Sequence, residues 1–132
     1  MRKILGICIL FLLFAGCSSQ KAATEKVRDI DYTVVPKEEI PEELFAQMQE
    51  KKHDPMKLTY TDGAYLYVAE GYGVKQSGGY SVTVESCYET PNGIYIKTEL
   101  LGPTKEEARE AAETFPYVVI KMEQIEKHVI FQ

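Results

Sequence analysis

Residues Ile4 to Phe14 form an apolar run of eleven residues without a charge, preceded by Arg2 and Lys3 and followed closely by Cys17. The run is too short for a bilayer-spanning helix, which takes ~20 residues. A basic start, a short apolar stretch and the small residues Ala15 and Gly16 have the layout of a cleaved export signal. This divides the chain into a signal peptide over 1–16, a flexible tether over 17–29 that begins with Cys17, and a single folded domain over 30–132. Ser18 to Lys26 has almost nothing to bury and suits a tether. The roughly 116 residues left after cleavage suffice for one domain and not two.

Export also settles what can hold the domain together. Cys8 leaves with the signal and Cys17 sits at the new N-terminus, so Cys87 stands alone and no internal disulfide can form. The fold rests on its core, for which nine tyrosines, five phenylalanines and many valines and isoleucines are available. Without Arg2 and Lys3 the chain keeps 13 basic residues against 20 acidic ones, a net charge of −7. An acidic surface argues against nucleic acid, whose phosphates need a basic one, and against electrostatic adhesion to anionic lipid.

The pattern predicts an α+β, mainly β fold: an antiparallel sheet of hairpins with one amphipathic N-terminal helix and a short second helix. Tyr32 to Val35 is a short extended run. Pro41 sits where a first helical turn would start, and Ile40, Leu44, Phe45 and Met48 follow at helical spacing with Glu42, Glu43, Gln47 and Glu50 opposite. This predicts a helix over about 41–52, with early acids and late lysines matched to its dipole. Asp62-Gly63 is a two-residue hairpin signal. Taken literally, it pairs Thr61 with Ala64, Tyr60 with Tyr65, Leu58 with Tyr67 and Met56 with Ala69. The face carrying the last three pairs should be buried, and the face with Lys57, Thr59 and Thr61 wetter, though Leu66 and Val68 partly cover it. Tyr80 to Tyr88 and Ile94 to Leu101 form a second hairpin across Thr90-Pro91-Asn92-Gly93. Thr104 and Glu107 have capping-box spacing, and Ala108, Ala111 and Ala112 give the short second helix a narrow apolar stripe. Tyr117 to Met122, apolar on both faces, reads as a central strand, with Pro116 at its start. His128 to Phe131 closes the chain as a last strand.

Two resemblances add to this reading. Phe14-Ala15-Gly16-Cys17 resembles the bacterial lipobox, which normally has leucine where Phe14 stands. It implies a diacylglyceryl group on the Cys17 thiol and a palmitate-type anchor in the cell membrane, with the domain on the extracytoplasmic face of the envelope. Two or more acyl chains give stable anchoring, one only marginal binding. Farther on, Gly71-Tyr72-Gly73-Val74-Lys75-Gln76-Ser77-Gly78-Gly79-Tyr80-Ser81-Val82, a hairpin, and Phe115-Pro116-Tyr117-Val118-Val119-Ile120-Lys121 together resemble the C-terminal domain of the protease complex subunit PrcB family. The resemblance covers residues 71–122. Lys105 to Glu113 is more helical and more charged than the family leads one to expect. The resemblance implies a non-enzymatic exported protein that accompanies a cell-surface protease.

The glycine-rich segment is the candidate binding element, through Tyr72, Lys75, Ser77, Gly78, Gly79 and Tyr80. Glycines permit close backbone approach, and tyrosines suit interfaces. Against it stands a structural connection whose glycines only make turns and bulges, the more usual role of surface glycines. It is not a phosphate loop, because no Gly-Lys-Ser/Thr ending leads into a helix. No catalytic residues, metal ligands or cofactor are implied. His53 and His128 lack metal-ligand spacing, and Cys87 sits beside Glu85 and Glu89, whose charge disfavours a thiolate. The function expected is therefore a membrane-anchored, protein-binding accessory subunit whose partner is an exported protein such as a protease. The alternative is a small-molecule or envelope-polymer binder with a tyrosine-lined cleft.

Overall fold

A computed structural model describes residues 25–132. The expected signal peptide, Cys17 and most of the tether lie outside the described residues. Ten strands and two α-helices follow in the order β1 (Arg28–Asp29), β2 (Thr33–Val34), α1 (Glu42–Lys51), β3 (Pro55–Thr61), β4 (Tyr65–Tyr72), β5 (Lys75–Ser77), β6 (Ser81–Thr90), β7 (Gly93–Leu101), α2 (Lys105–Ala108), β8 (Ala111–Thr114), β9 (Tyr117–Glu123) and β10 (Val129–Phe131). A single 3-10 turn, Lys37–Glu39, precedes α1. The strands make two four-stranded sheets, ordered β1-β6-β7-β10 and β2-β9-β4-β3, and a two-stranded ribbon β5-β8.

The second sheet is the middle layer. Along β4 and β9 side chains alternate between faces, and both faces are apolar. Leu66, Val68, Val118, Ile120 and Met122 face the first sheet and meet Ile94, Ile96 and Cys87 there. Tyr67, Ala69 and Val119 face the other way and are covered by Leu44 and Met48 of α1, together with Met56 and Ile40. Leu44 and Met48, one turn apart, share one face of α1. Pro41 occupies the cap position, its carbonyl accepting the Phe45 N–H at 2.9 Å.

Four expectations are corrected. Lys57, Thr59 and Thr61 are exposed, but Leu66 and Val68 do more than partly cover that face: both are buried, because the β6–β7 hairpin packs over them. The first hairpin is shifted by two residues, with Thr61 opposite Leu66, Tyr60 opposite Tyr67, Leu58 opposite Ala69 and Met56 opposite Gly71. The cause is Asp62, whose carboxylate accepts the N–H groups of Ala64 (3.0 Å) and Tyr65 (2.8 Å) and widens the turn. An even shift leaves every side chain on its face. The sheets are not wholly antiparallel: β10 runs parallel to β7, Val129 opposite Ile94 and Phe131 opposite Ile96, after the chain crosses from the second sheet to the first. Finally, Ala111 and Ala112 do not extend the second helix. After one capped turn they enter β8 and pair with β5. Small alanine side chains offer little packing to hold so short a helix, whereas β5 offers backbone partners.

The described chain also pairs earlier than the expected domain start. The Val27 N–H donates to the Glu89 carbonyl at 2.7 Å, and Arg28 and Asp29 lie opposite Glu89 and Tyr88 in β6.

Candidate functional site

The six residues singled out in the glycine-rich segment fall into two groups. The first is tied into the fold. Tyr72 ends β4, and its N–H donates to the Pro116 carbonyl at 3.1 Å. Its phenol hydrogen-bonds the Thr98 hydroxyl on β7. Thr98 in turn donates to the buried Glu70 carboxylate at 2.9 Å, which leaves the phenol as donor to Thr98. The relay stitches the two sheets together, and Tyr72 is half-buried within it. Lys75 and Ser77 belong to β5, opposite Thr114 and Ala111, with an irregular register between them. Ser77 is buried. Its carbonyl accepts the Thr114 hydroxyl at 2.6 Å, and its own hydroxyl donates to the Gly78 carbonyl at 3.2 Å. The backbone here is thus partly satisfied by β8 and not left open as the glycine pattern suggested.

Gly78, Gly79 and Tyr80 form the second group, at the far end of the β6–β7 hairpin. A Cβ on Gly78 would meet nothing within 4 Å. Gly79 is the opposite case: its φ is +83°, and a Cβ there would lie 2.6 Å from the Glu107 carboxylate and 2.8 Å from Pro103. Glu107 is fixed by the α2 capping box, accepting the Thr104 N–H at 3.1 Å and the Thr104 hydroxyl at 2.9 Å. These bonds, the backbone one foremost, hold its carboxyl below the ordinary glutamate range. The structure thus brings Gly79 against Pro103 and Glu107. Leu101, opposite Ser81, is 41% exposed, an apolar surface residue that sequence reading did not single out.

Along its outer sides this end of the hairpin is open. β1 covers β6 only at Tyr88 and Glu89, and β10 covers β7 only at Ile94 to Ile96. Among the described residues, Ser81 to Val84 and Lys97 to Leu101 therefore pair with each other and not with a third strand. Among the described residues, strand β3 is also an edge, bonded to β4 alone.

A second candidate lies at the opposite end, where α1 does not reach across the second sheet. A cleft of about 450 Å³ is lined by Tyr32, Tyr65, Tyr67, Lys121, Asp31, Glu39 and Glu123, among others. The Lys121 ammonium stands 4.0 Å from the Tyr65 ring centroid and 5.9 Å from that of Tyr67. The alternation of Tyr65 and Tyr67 could have signalled this wall. Its partners Tyr32 and Lys121 are brought in only by the β2–β9 and β4–β9 pairings.

Cys87 is buried, and burial pushes its thiol up to about 11. The flanking glutamates expected to disfavour a thiolate are not the cause.

The family model described as PrcB C-terminal matches residues 66–123. The match runs from the start of the β4 ladder to the end of β9, and it contains the glycine-rich segment, the second hairpin and the Phe115-Pro116-Tyr117 motif. The resemblance read from residues 71–122 is shown, and the match is wider at both ends. No curated protein and no solved structure matches the chain.

Proposed function

Residues 66–123 being a PrcB C-terminal domain, we propose that the chain is a lipid-anchored, non-enzymatic accessory subunit that binds an exported protein of a protease complex on the outer face of the cell membrane. The observation that carries the reading is the family match, because the family is a protease complex subunit. The anchor rests on the basic start, the apolar run and Cys17. With the thiol of Cys17 acylated, the ten residue steps to Val27 span at most about 35 Å. That holds the Glu89 end of the domain within about 35 Å of the bilayer.

The unpaired outer sides of the hairpin favour recognition by strand addition, in which backbone bonds give affinity and alternate side chains give selectivity. Tyr80 and Leu101 are the aromatic and apolar contacts at that tip. The Tyr65–Lys121 cleft supports the second reading, an envelope-polymer or small-molecule binder, because exposed tyrosine faces beside carboxylates offer stacking and hydrogen bonding.

Cross-linked capture from intact cells tests the proposal. The wild-type chain should retain one exported protein or protease complex. A Gly78→Val chain should fold normally and lose that partner. Capture unchanged by Gly78→Val removes the tip as the recognition element. Labelling with an alkyne fatty acid tests the anchor: Cys17→Ala should carry no label, and a labelled variant would refute lipidation there.

A further inference from the structure

A second cavity, of about 230 Å³, opens where α1 crosses the root of the glycine-rich segment. Its walls are Phe45 and Met48 from α1, Met56 from β3, and Phe115, Pro116 and Tyr117 at the entry to β9. Gly71 lies at its base, and Lys37, Gln49 and Lys52 complete the rim. The walls are apolar, and Met48 and Met56 are buried. Among the described residues that line it, the charged ones are the two lysines, in a chain with five more acidic than basic residues. Both ammonium groups are held over aromatic rings of the same pocket. Lys52 stands 4.5 Å from the Phe115 centroid and Lys37 stands 5.9 Å from that of Phe45. Glu38 and Glu42 lie with Lys37 and Phe45 around an adjoining hollow; of these Glu38 acts on the cavity's Tyr117. Its charge, after burial, helps raise the Tyr117 phenol, but Glu38 does not line the cavity.

From this arrangement we propose that the pocket takes the C-terminal end of a partner polypeptide, with an apolar last side chain among Phe45, Met48, Met56 and Phe115 and its carboxylate between Lys37 and Lys52. Charge complementarity selects an anion. Two cations at the rim of an apolar cavity fit a group that is apolar at one end and carboxylate at the other. Carboxylate ends are a recurrent target of peptide-binding modules. The volume suits one large side chain and is small for a long acyl chain, which separates a polypeptide end from a fatty acid. Gln49 can hydrogen-bond the last peptide group. The pocket is built jointly by the family-matched segment (Gly71, Phe115 to Tyr117) and by α1 and β3, which precede it. The assignment deepens the protein-binding reading, since it names the part of the partner that docks.

The test uses the full mature chain in lipid nanodiscs, titrated with N-acetyl-Ala-Ala-Phe as free acid, the same peptide as C-terminal amide, N-acetyl-Ala-Ala-Ser as free acid, and decanoate. The free-acid Phe peptide should bind about tenfold tighter than its amide, the loss expected when a charge-assisted contact is removed, and tighter than the Ser peptide or decanoate. The Lys37→Met, Lys52→Met double variant should bind acid and amide alike. Lys97→Met, a lysine of the hairpin that does not line the pocket, should keep the preference. Unchanged unfolding curves for these variants would show that the fold is intact. Equal affinity for acid and amide, tighter binding of decanoate, no binding of any peptide, or an acid preference that survives the double variant would each overturn the assignment. In cells, a partner captured equally by the double variant would overturn the pocket while leaving the accessory-subunit reading standing.

Discussion

The two ends of the β6–β7 hairpin are built on opposite plans. At the end where the described chain enters, everything is clamped. The Glu89 carboxylate is 2.8 Å from Arg28 Nε and 2.6 Å from Lys127 Nζ, and Lys127 also donates to the Thr90 carbonyl at 3.0 Å. Thr90 is wholly buried, and Gly93 lies so close to β10 that a Cβ would be 2.7 Å from Ile130 Cδ1 and 2.9 Å from the His128 carbonyl. At the other end no third strand among the described residues flanks the hairpin, Gly78 faces open space, and Pro103 and Glu107 stand nearest to Gly79. The clamped end gathers β1 and the segment leading into β10 onto one carboxylate. The open end leaves backbone and apolar side chains accessible. The domain is thus held rigidly at its root and open at its tip, the contrast on which the proposed recognition rests.

Substitutions can break this contrast, and the largest effect should come at the root. Gly93→Val forces β10 off β7 and should lower the unfolding free energy by about 3 kcal/mol, the upper range for overpacking, read from urea denaturation. Gly79→Val should cost about 2 kcal/mol, since it combines a left-handed φ with the Pro103 contact. An equal loss at both positions would mean that the tip is as closely packed as the root. Glu89→Gln should cost about 1 kcal/mol near neutral pH, as for partly exposed ion pairs, and should change the acid limb. The Lys127 bond, more than the Arg28 bond, holds the Glu89 carboxyl below its ordinary value of 4.5. A depressed carboxyl contributes stability above the unfolded value and loses it as pH falls through the folded one. Wild-type stability should therefore drop more steeply than that of Glu89→Gln as pH falls below 4.5, and the two curves should converge in stronger acid. Gly78→Val should stay within about 0.5 kcal/mol of wild type, as for a surface site with no contacts. A larger loss would show that the tip is not open.

Much of the fold was legible because its signals are local. The second hairpin follows from Thr90 to Gly93, and the central position of Tyr117 to Met122 follows from apolar residues on both faces. The α2 cap follows from Thr104 and Glu107. Features set by distant partners were not legible. The burial of Leu66 and Val68 depends on a hairpin that packs over them from later in the chain. The two-residue slip at Asp62 depends on where one carboxylate turns. The parallel docking of β10 depends on a crossing between sheets. In the candidate segment, the glycines of positions 78 and 79 look alike in sequence, yet one is free and one is pinned by Glu107. Tyr72 reads as a contact residue, yet Thr98, from the other sheet, takes its phenol. The tyrosine cleft exists because α1, ten residues and about 15 Å long, covers only part of the middle sheet.

Site-specific photo-cross-linking in living cells tests the central claim most directly. A photoreactive residue replaces Gly78 at the tip in one strain and the exposed Asn92 at the root in another. Presentation of a recognition tip predicts a discrete exported protein joined to position 78 and none joined to position 92. A protein partner joined at 92 and absent at 78, or no protein at either position, would contradict it.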